Sequence, residues 1–371
     1  MGVTPGDQRE LYIGLMSGTS LDGVDAVLAD LSGPLPRVLA HAHRPFGSDL
    51  RHQLLALCTE AADEIDRAGR AAQSLARQYA ECVAEVLRVA GRDPAEVRAL
   101  GAHGQTIRHR PEAGYTLQLN SPALLAELTG IDVVADFRSR DLAAGGQGAP
   151  LVPAFHAAAF AAAGPRVVVN LGGISNVSYL PGGEQPVLGF DCGPGNVFLD
   201  AWATRHRNVP FDRNGDFAAA GRVDATLLER LLAEPYLDQA PPKSTGRELF
   251  CPAWLASALG DAALAPQDVQ RTLTEFTARC IGDAIARWCA PARDVVVCGG
   301  GSHNATLMAA LADAVGPRPL QASSVFGIEP EWVEALAFAW LARRCLRRET
   351  GSQAAVTGAR GPRVLGAVYP R

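Results

Sequence analysis

Apolar positions along this chain fall into two patterns: short buried runs that end in glycine, and longer stretches with helical spacing. The run Leu11–Met16 breaks at Ser17-Gly-Thr-Ser20 and a second run begins at Val24, so residues 11–30 are predicted as a strand–turn–strand hairpin. The pattern returns at Arg166-Val-Val-Val-Asn-Leu-Gly-Gly-Ile-Ser-Asn-Val-Ser-Tyr-Leu180. Between the two lie amphipathic helices predicted at 47–67 and 70–90, a short strand at 97–102, a glycine-rich loop at 145–150 and a small-residue helix at 151–163. After the second hairpin, a glycine turn at 193–195 opens a helix at 196–206. A polar loop follows at 207–217, then helices at 221–233, 252–258 and 266–290. Asp294–Cys298 reads as a buried strand, followed by three glycines and a helix starting near Asn304. A helix at 330–348 and a terminal strand at 363–368 close the pattern. Hairpins alternating with helices imply an α/β protein with helix-covered sheets. The repeated hairpin-led unit implies a duplicated architecture with a cleft between halves, and the boundary is placed to divide 1–134 from 135–371. The terminal strand is free to pack back on the first domain.

Composition narrows the class. At 371 residues the chain exceeds what one core usually supports, so two domains are expected. Apolar residues make up 48% and charged residues 20%, the balance of an ordinary globular protein. A net charge of −5 argues against a nucleic-acid partner, which calls for a basic patch. No apolar stretch is long enough to span a bilayer, and the first ten residues hold no signal-peptide core. The expected location is the cytoplasm, with no membrane partner. The eight cysteines, at 58, 82, 192, 251, 280, 289, 298 and 345, form no Cys-x-x-Cys pair and read as buried small hydrophobes.

Three glycine turns follow three strands, at 17–23, 171–176 and 298–304. Glycine after a strand is most often only a turn. Three such turns, each flanked by Ser, Thr or Asn and each leaving a buried run, form a stronger signal: backbone N–H groups and small hydroxyls suit phosphate. In Cys298-Gly-Gly-Gly-Ser-His-Asn304, a purine and ribose have room to lie flat against backbone. There is no Gly-Lys-Ser/Thr, so none of the turns is a Walker loop.

The hairpin–hairpin–triple-glycine order resembles the superfamily of sugar kinases, actin and Hsp70-type ATPases. Within it, Met16-Ser-Gly-Thr-Ser-Leu-Asp-Gly-Val-Asp25, His103-Gly-Gln-Thr-Ile-Arg-His109, Asn170-Leu-Gly-Gly-Ile-Ser-Asn176 and Gly189-Phe-Asp-Cys-Gly-Pro-Gly-Asn196 are similar to the anhydro-N-acetylmuramic acid kinases. The likeness covers essentially the whole chain. It implies a two-domain duplicated actin-like/ribonuclease H-like ATPase fold with an interdomain active-site cleft. It also implies a reaction in which ATP, water and 1,6-anhydro-N-acetylmuramic acid give ADP and N-acetylmuramic acid 6-phosphate. ATP and Mg²⁺ are the implied cofactors, and a homodimer is the implied assembly.

Carried onto this sequence, the resemblance makes Asp191 the general base that takes a proton from water. Without it, the position before a glycine turn and a helix reads equally as a helix cap. Ser17, Gly18, Thr19, Ser20, Leu21, Asp22, Gly23, Val24 and Asp25 fall in the first phosphate hairpin. Asn170, Gly172, Gly173 and Asn176 fall in the second, and Gly299, Gly300, Gly301 and Asn304 at the adenosine. As plain turn residues, Asp22 and Asp25 read just as well as Asx turns. Many superfamily members carry Asp where this chain has Met16, so Mg²⁺ is expected to ride chiefly on ATP phosphates and water, with its protein ligands unknown. Gln105, Thr106, Asn120, Arg138 and Glu334 are the candidates for the sugar, with Arg138 suited to its lactyl carboxylate. Lys243 and Arg247 are loop cations that suit the sugar or the product phosphate. His103 and His109 lack a partner acid at a telling spacing. Two alternatives remain open at this point: an ordinary sugar kinase without ring hydrolysis, and an actin- or chaperone-like nucleotide switch.

Overall fold

In the computed structural model, which describes residues 9–18, 21–183, 185–246, 249–261 and 263–371, packing divides the chain into two units. One runs to Ala159 and takes in Trp332–Arg371; the other is Phe160–Glu331. These limits differ from a single division at 134/135, because the chain returns to its first unit after Glu331.

The first unit carries β1 (Leu11–Met16), β2 (Gly23–Asp30), β3 (Arg37–Pro45), β4 (Val97–Ala102), β5 (Gln105–Arg110), β6 (Tyr115–Leu119) and β7 (Val133–Ala135). The second carries β8 (Arg166–Leu171), β9 (Ile174–Leu180), β10 (Leu188–Pro194), β11 (Asp294–Cys298) and β12 (Leu320–Ala322). Back in the first unit, β13 (Ala367–Tyr369) pairs with β7. The first sheet runs β3-β2-β1-β4-β7-β13 and the second β10-β9-β8-β11-β12. In each, the first three strands form an antiparallel meander and the next two add parallel to the first. The duplication expected from the two hairpins is therefore a duplication of sheet topology.

The return of the chain has a visible cause. Gly14 on β1 and Gly101 on β4 are register partners. The Val333–Leu346 helix lies directly on both, so that a Cβ at Gly14 would meet the Ala335 carbonyl and one at Gly101 the Phe338 carbonyl. Two adjacent glycines thus make a trough for a helix whose inward face is almost wholly buried.

Element limits shift for local reasons. The predicted helices at 47–67 and 70–90 are Ser48–Leu57 and a single long Glu64–Ala90. The break falls at Asp63, which adopts a φ of 55°, and not at Gly69, where the helix continues with open space beside it. Burial of Ala71, Leu75, Tyr79, Cys82 and Val86 along one face carries the helix through that glycine.

Candidate active site

The first glycine turn joins β1 to β2. Thr19 and Ser20 lie outside the described residues. The Ser17 hydroxyl is not aimed at solvent. It is buried and sits 2.8 Å from the Tyr79 hydroxyl, whose own titration burial pushes well up. Ser17 therefore has only its backbone to offer a phosphate. The Gly18 carbonyl accepts from Leu21 N and from the Gln105 amide, at 3.3 and 3.1 Å. Leu21 adopts a left-handed φ of 55° with its side chain buried, a strained conformation of the kind stored in functional turns. Gly23 lies against the Arg44 carbonyl and Val24 is in the core. Asp22 is exposed, and its carbonyl accepts from Phe46 N. Asp25 is claimed by two imidazoles: His41 Nε2 at 3.1 Å and His43 Nδ1 at 3.0 Å both meet its Oδ1.

The other two turns lie together in the second unit. Asn170 and Asn176 face each other across β8 and β9, with Gly172 and Gly173 in the bend. The Gly172 carbonyl accepts from Asn196 N, and the Gly173 carbonyl from Gly195 N and Val197 N. These bonds stitch the bend to the start of the Val197–Arg207 helix. A Cβ at Gly195 would strike the Gly172 carbonyl. Gly299, at a φ of 84°, lies 2.5 Å from the Asn170 side-chain oxygen by the same measure. Gly301 packs on Leu171 and Asn196, whereas Gly300 faces open space. Asn304 caps the Ala305–Ala314 helix by accepting from Leu307 N at 2.9 Å. Its side chain is thus spoken for as a helix cap. Asn196 also donates to the Leu171 carbonyl at 3.0 Å.

Asp191 is a strand residue, not a helix cap: it lies in β10 opposite Asn176, and the helix starts only at Val197. Its Oδ2 accepts from Thr245 N at 2.9 Å, its carbonyl from the Tyr236 hydroxyl at 2.9 Å, and its N–H donates to the Lys243 carbonyl at 3.3 Å. Opposite, the buried Asn176 Oδ1 finds no partner among the described residues. The Asp191 side chain is half-buried. The Thr245 N–H thus fixes the orientation of the carboxylate.

In the first unit, Gln105 donates to Gly18 yet its buried Oε1 has no partner among the described residues, and neither does Asn120 Nδ2. Orphaned buried amide atoms are rare and call for an explanation such as a ligand. Thr106 accepts from Gln118 at 3.1 Å. His109 Nδ1 lies 3.0 Å from Thr116, its Nε2 is likewise orphaned, and burial brings its pKa down to about 4. Arg138 has protein partners of its own. Its Nε and Nη2 point to His103 Nε2 at 3.2 and 2.9 Å, and Nη1 donates to the Gly148 carbonyl at 2.8 Å. Burial, with the Arg138 charge, holds His103 neutral, so the ring accepts from Arg138 and carries its proton on Nδ1. Glu334 sits half-buried in the first turn of the Val333–Leu346 helix. Lys243 is buried, at 5% exposure; Arg247 lies outside the described residues. No helix among the described residues is long and apolar enough to cross a membrane.

The family described as anhydro-N-acetylmuramic acid kinase matches over residues 10–371. The anhydro-N-acetylmuramic acid kinase of Cupriavidus metallidurans is 57% identical, over 98% of this chain and 98% of its own. That of Bordetella petrii is 59% identical, over 99% of this chain and 97% of its own. Among solved structures, component A of the Acidaminococcus fermentans (R)-2-hydroxyglutaryl-CoA dehydratase superposes with a TM-score of 0.50 at 13% identity. It covers 89% of this chain and 96% of that one, a likeness of fold alone.

Proposed function

The chain belongs to the anhydro-N-acetylmuramic acid kinase family, and from that membership we propose that it opens the 1,6-anhydro ring of 1,6-anhydro-N-acetylmuramic acid with water and phosphorylates O6. It is a kinase of cell-wall recycling and uses ATP. The products are N-acetylmuramic acid 6-phosphate and ADP. Asp191 takes a proton from water as the water oxygen bonds to the anomeric carbon. The bond from that carbon to the bridging oxygen breaks, and the oxygen keeps the electron pair on C6. That oxygen attacks the γ-phosphorus, and ADP leaves with the electrons of the broken phosphoanhydride bond. The observation that carries this reading is the half-buried Asp191 carboxylate, held by Thr245 N–H opposite an amide oxygen without a partner among the described residues. The adjoining turns of the second unit, with Gly300 facing open space, are read as the nucleotide seat. The orphaned atoms of Gln105 and Asn120 are read as sugar contacts; Arg138 is read as the support of His103.

Mg²⁺ on ATP phosphates supplies positive charge against the charge that develops in phosphoryl transfer. Among the described residues, no group of three or more His, Cys, Asp and Glu side chains could hold a metal. The ion is read as carried chiefly by ATP phosphates and water. A homodimer working in the cytoplasm completes the reading.

Asp191→Asn keeps the shape and removes the basicity. The expected result is near-intact ATP binding with turnover reduced at least ~10²-fold; retained turnover overturns the assignment. Solvent ¹⁸O at C1 of the product, read at early times, separates ring hydrolysis from phosphorylation of a preformed hydroxyl, which incorporates none.

A further inference from the structure

Lys243 is an expensive residue where it stands. An ammonium at 5% exposure costs desolvation that a methionine of similar length would not, and burial pulls its pKa below the usual lysine range. Its Nζ donates to the Tyr236 carbonyl at 3.1 Å and the Leu237 carbonyl at 3.0 Å, and lies 4.6 Å from the Tyr236 ring centroid. Those two stretches of chain, 236–237 and 243–245, are the ones that grip Asp191. Tyr236 holds its carbonyl, Lys243 its N–H through the backbone, and Thr245 N–H one carboxylate oxygen.

We propose that Lys243 is a positioning residue for the reaction: its ammonium staples the two arms of the 236–245 loop together and so aims the Thr245 N–H at Asp191. The inference rests on Asp191 being the base. Asp191 itself supplies the contact with water; Lys243 acts through it. With the ammonium gone, two carbonyls, one of them buried, lose their donor, the arms part, and Thr245 N–H leaves Oδ2. A hydrogen bond to the charged form of a carboxyl favours that form, so its loss makes Asp191 harder to ionise. A Lys243 that served folding alone would leave that titration where it was.

The test is Lys243→Met in the full chain, with kcat and KM measured for ATP and for the anhydro sugar across pH. The acid limb of kcat/KM for the sugar is expected to move about one unit to higher pH, while the KM for ATP stays within about twofold because the glycine turns are untouched. A folded Lys243→Met with the parent acid limb overturns the proposal. Should that variant not fold, Tyr236→Phe keeps the ring and removes one arm's bond to Asp191. It is expected to shift the limb in the same direction, and an unshifted limb overturns the proposal equally. Asp191→Asn separates the two layers. If it keeps its turnover, the base assignment and the staple both fall; if it is inactive while Lys243→Met and Tyr236→Phe titrate like the parent, only the staple falls.

Discussion

Neighbouring glycines in the third turn make opposite predictions, and together they test whether a nucleotide lies there. Gly299→Ala puts a side chain on a residue with a φ of 84°, against the Asn170 side-chain oxygen at 2.5 Å and the Leu171 carbonyl at 2.8 Å. The left-handed conformation costs an L-residue about 1–2 kcal/mol, and overpacking against backbone about 1–3 kcal/mol more. For a unit of this size each kcal/mol lowers Tm by about 2–4 °C, so a fall of roughly 5–15 °C is expected in the transition of the second unit. Gly300→Ala meets nothing within 4 Å and should leave that transition within about 0.5 kcal/mol of the parent. If ATP lies on this turn, the added methyl occupies its place, and the KM for ATP should rise about fivefold or more with kcat less affected. Calorimetry reads the first quantity and initial rates at varied ATP the second. A Gly300→Ala enzyme with unchanged Tm and unchanged KM for ATP would refute the placement of the nucleotide. A Gly299→Ala protein as stable as the parent would refute the packing of the two turns.

Two further outcomes follow from the first unit. Asp25 is held below the usual carboxylate range: burial would raise it, but the hydrogen bonds from His41 and His43 outweigh that, while the bond to Asp25 lifts His43 above its ordinary value. The Asp25 contribution is therefore lost as pH falls through its depressed value. The His43 contribution is complete below about 6.5 and lost as pH rises through the elevated one. Asp25→Asn should bring the His43 titration, followed by NMR, back toward an ordinary histidine, and an unmoved His43 contradicts the pairing. Gly101→Ala drives a methyl into the Phe338 carbonyl and should cost about 3 kcal/mol, seen as a lower Tm for the first unit; a neutral effect would deny that the helix rests on the strand pair.

Much of the architecture was legible because glycine after a buried run and helical spacing are local signals. Both hairpins, the Asp294–Cys298 strand and the long helices stand close to where the pattern put them. What escaped depended on partners far along the chain. β3 alternates Ala40 and Ala42 with His41 and His43, a pattern that makes sense only once Asp25 is opposite. Gly14 and Gly101, read singly, are weak points in strands; paired, they are the bed of a helix more than 230 residues later. Arg138 suits a carboxylate by its chemistry; that the His103 ring and the Gly148 carbonyl also engage it has no sequence signature. The surroundings of Asp191 come from Thr245, 54 residues on.

The shared sheet topology also helps separate the acids that the sequence left side by side. Asp25 is the third residue of β2, and its register partner on the third meander strand is His43. The third residue of β9 is Asn176, and its register partner on the third meander strand is Asp191. One meander thus places a carboxylate against imidazole and the other an amide against a carboxylate. In the first, both histidines converge on one oxygen and the carboxyl is held below its ordinary range. A carboxylate in that state is a poor acceptor of a proton from water and a good fastener for an edge strand. In the second, the carboxylate is held by a backbone N–H that cannot take its proton, and the facing amide oxygen has no partner among the described residues. Asp25 therefore serves as a clamp between β2 and β3, while Asp191 is the carboxylate proposed as the base. The proposal that Asp191 is the base draws on this difference in surroundings.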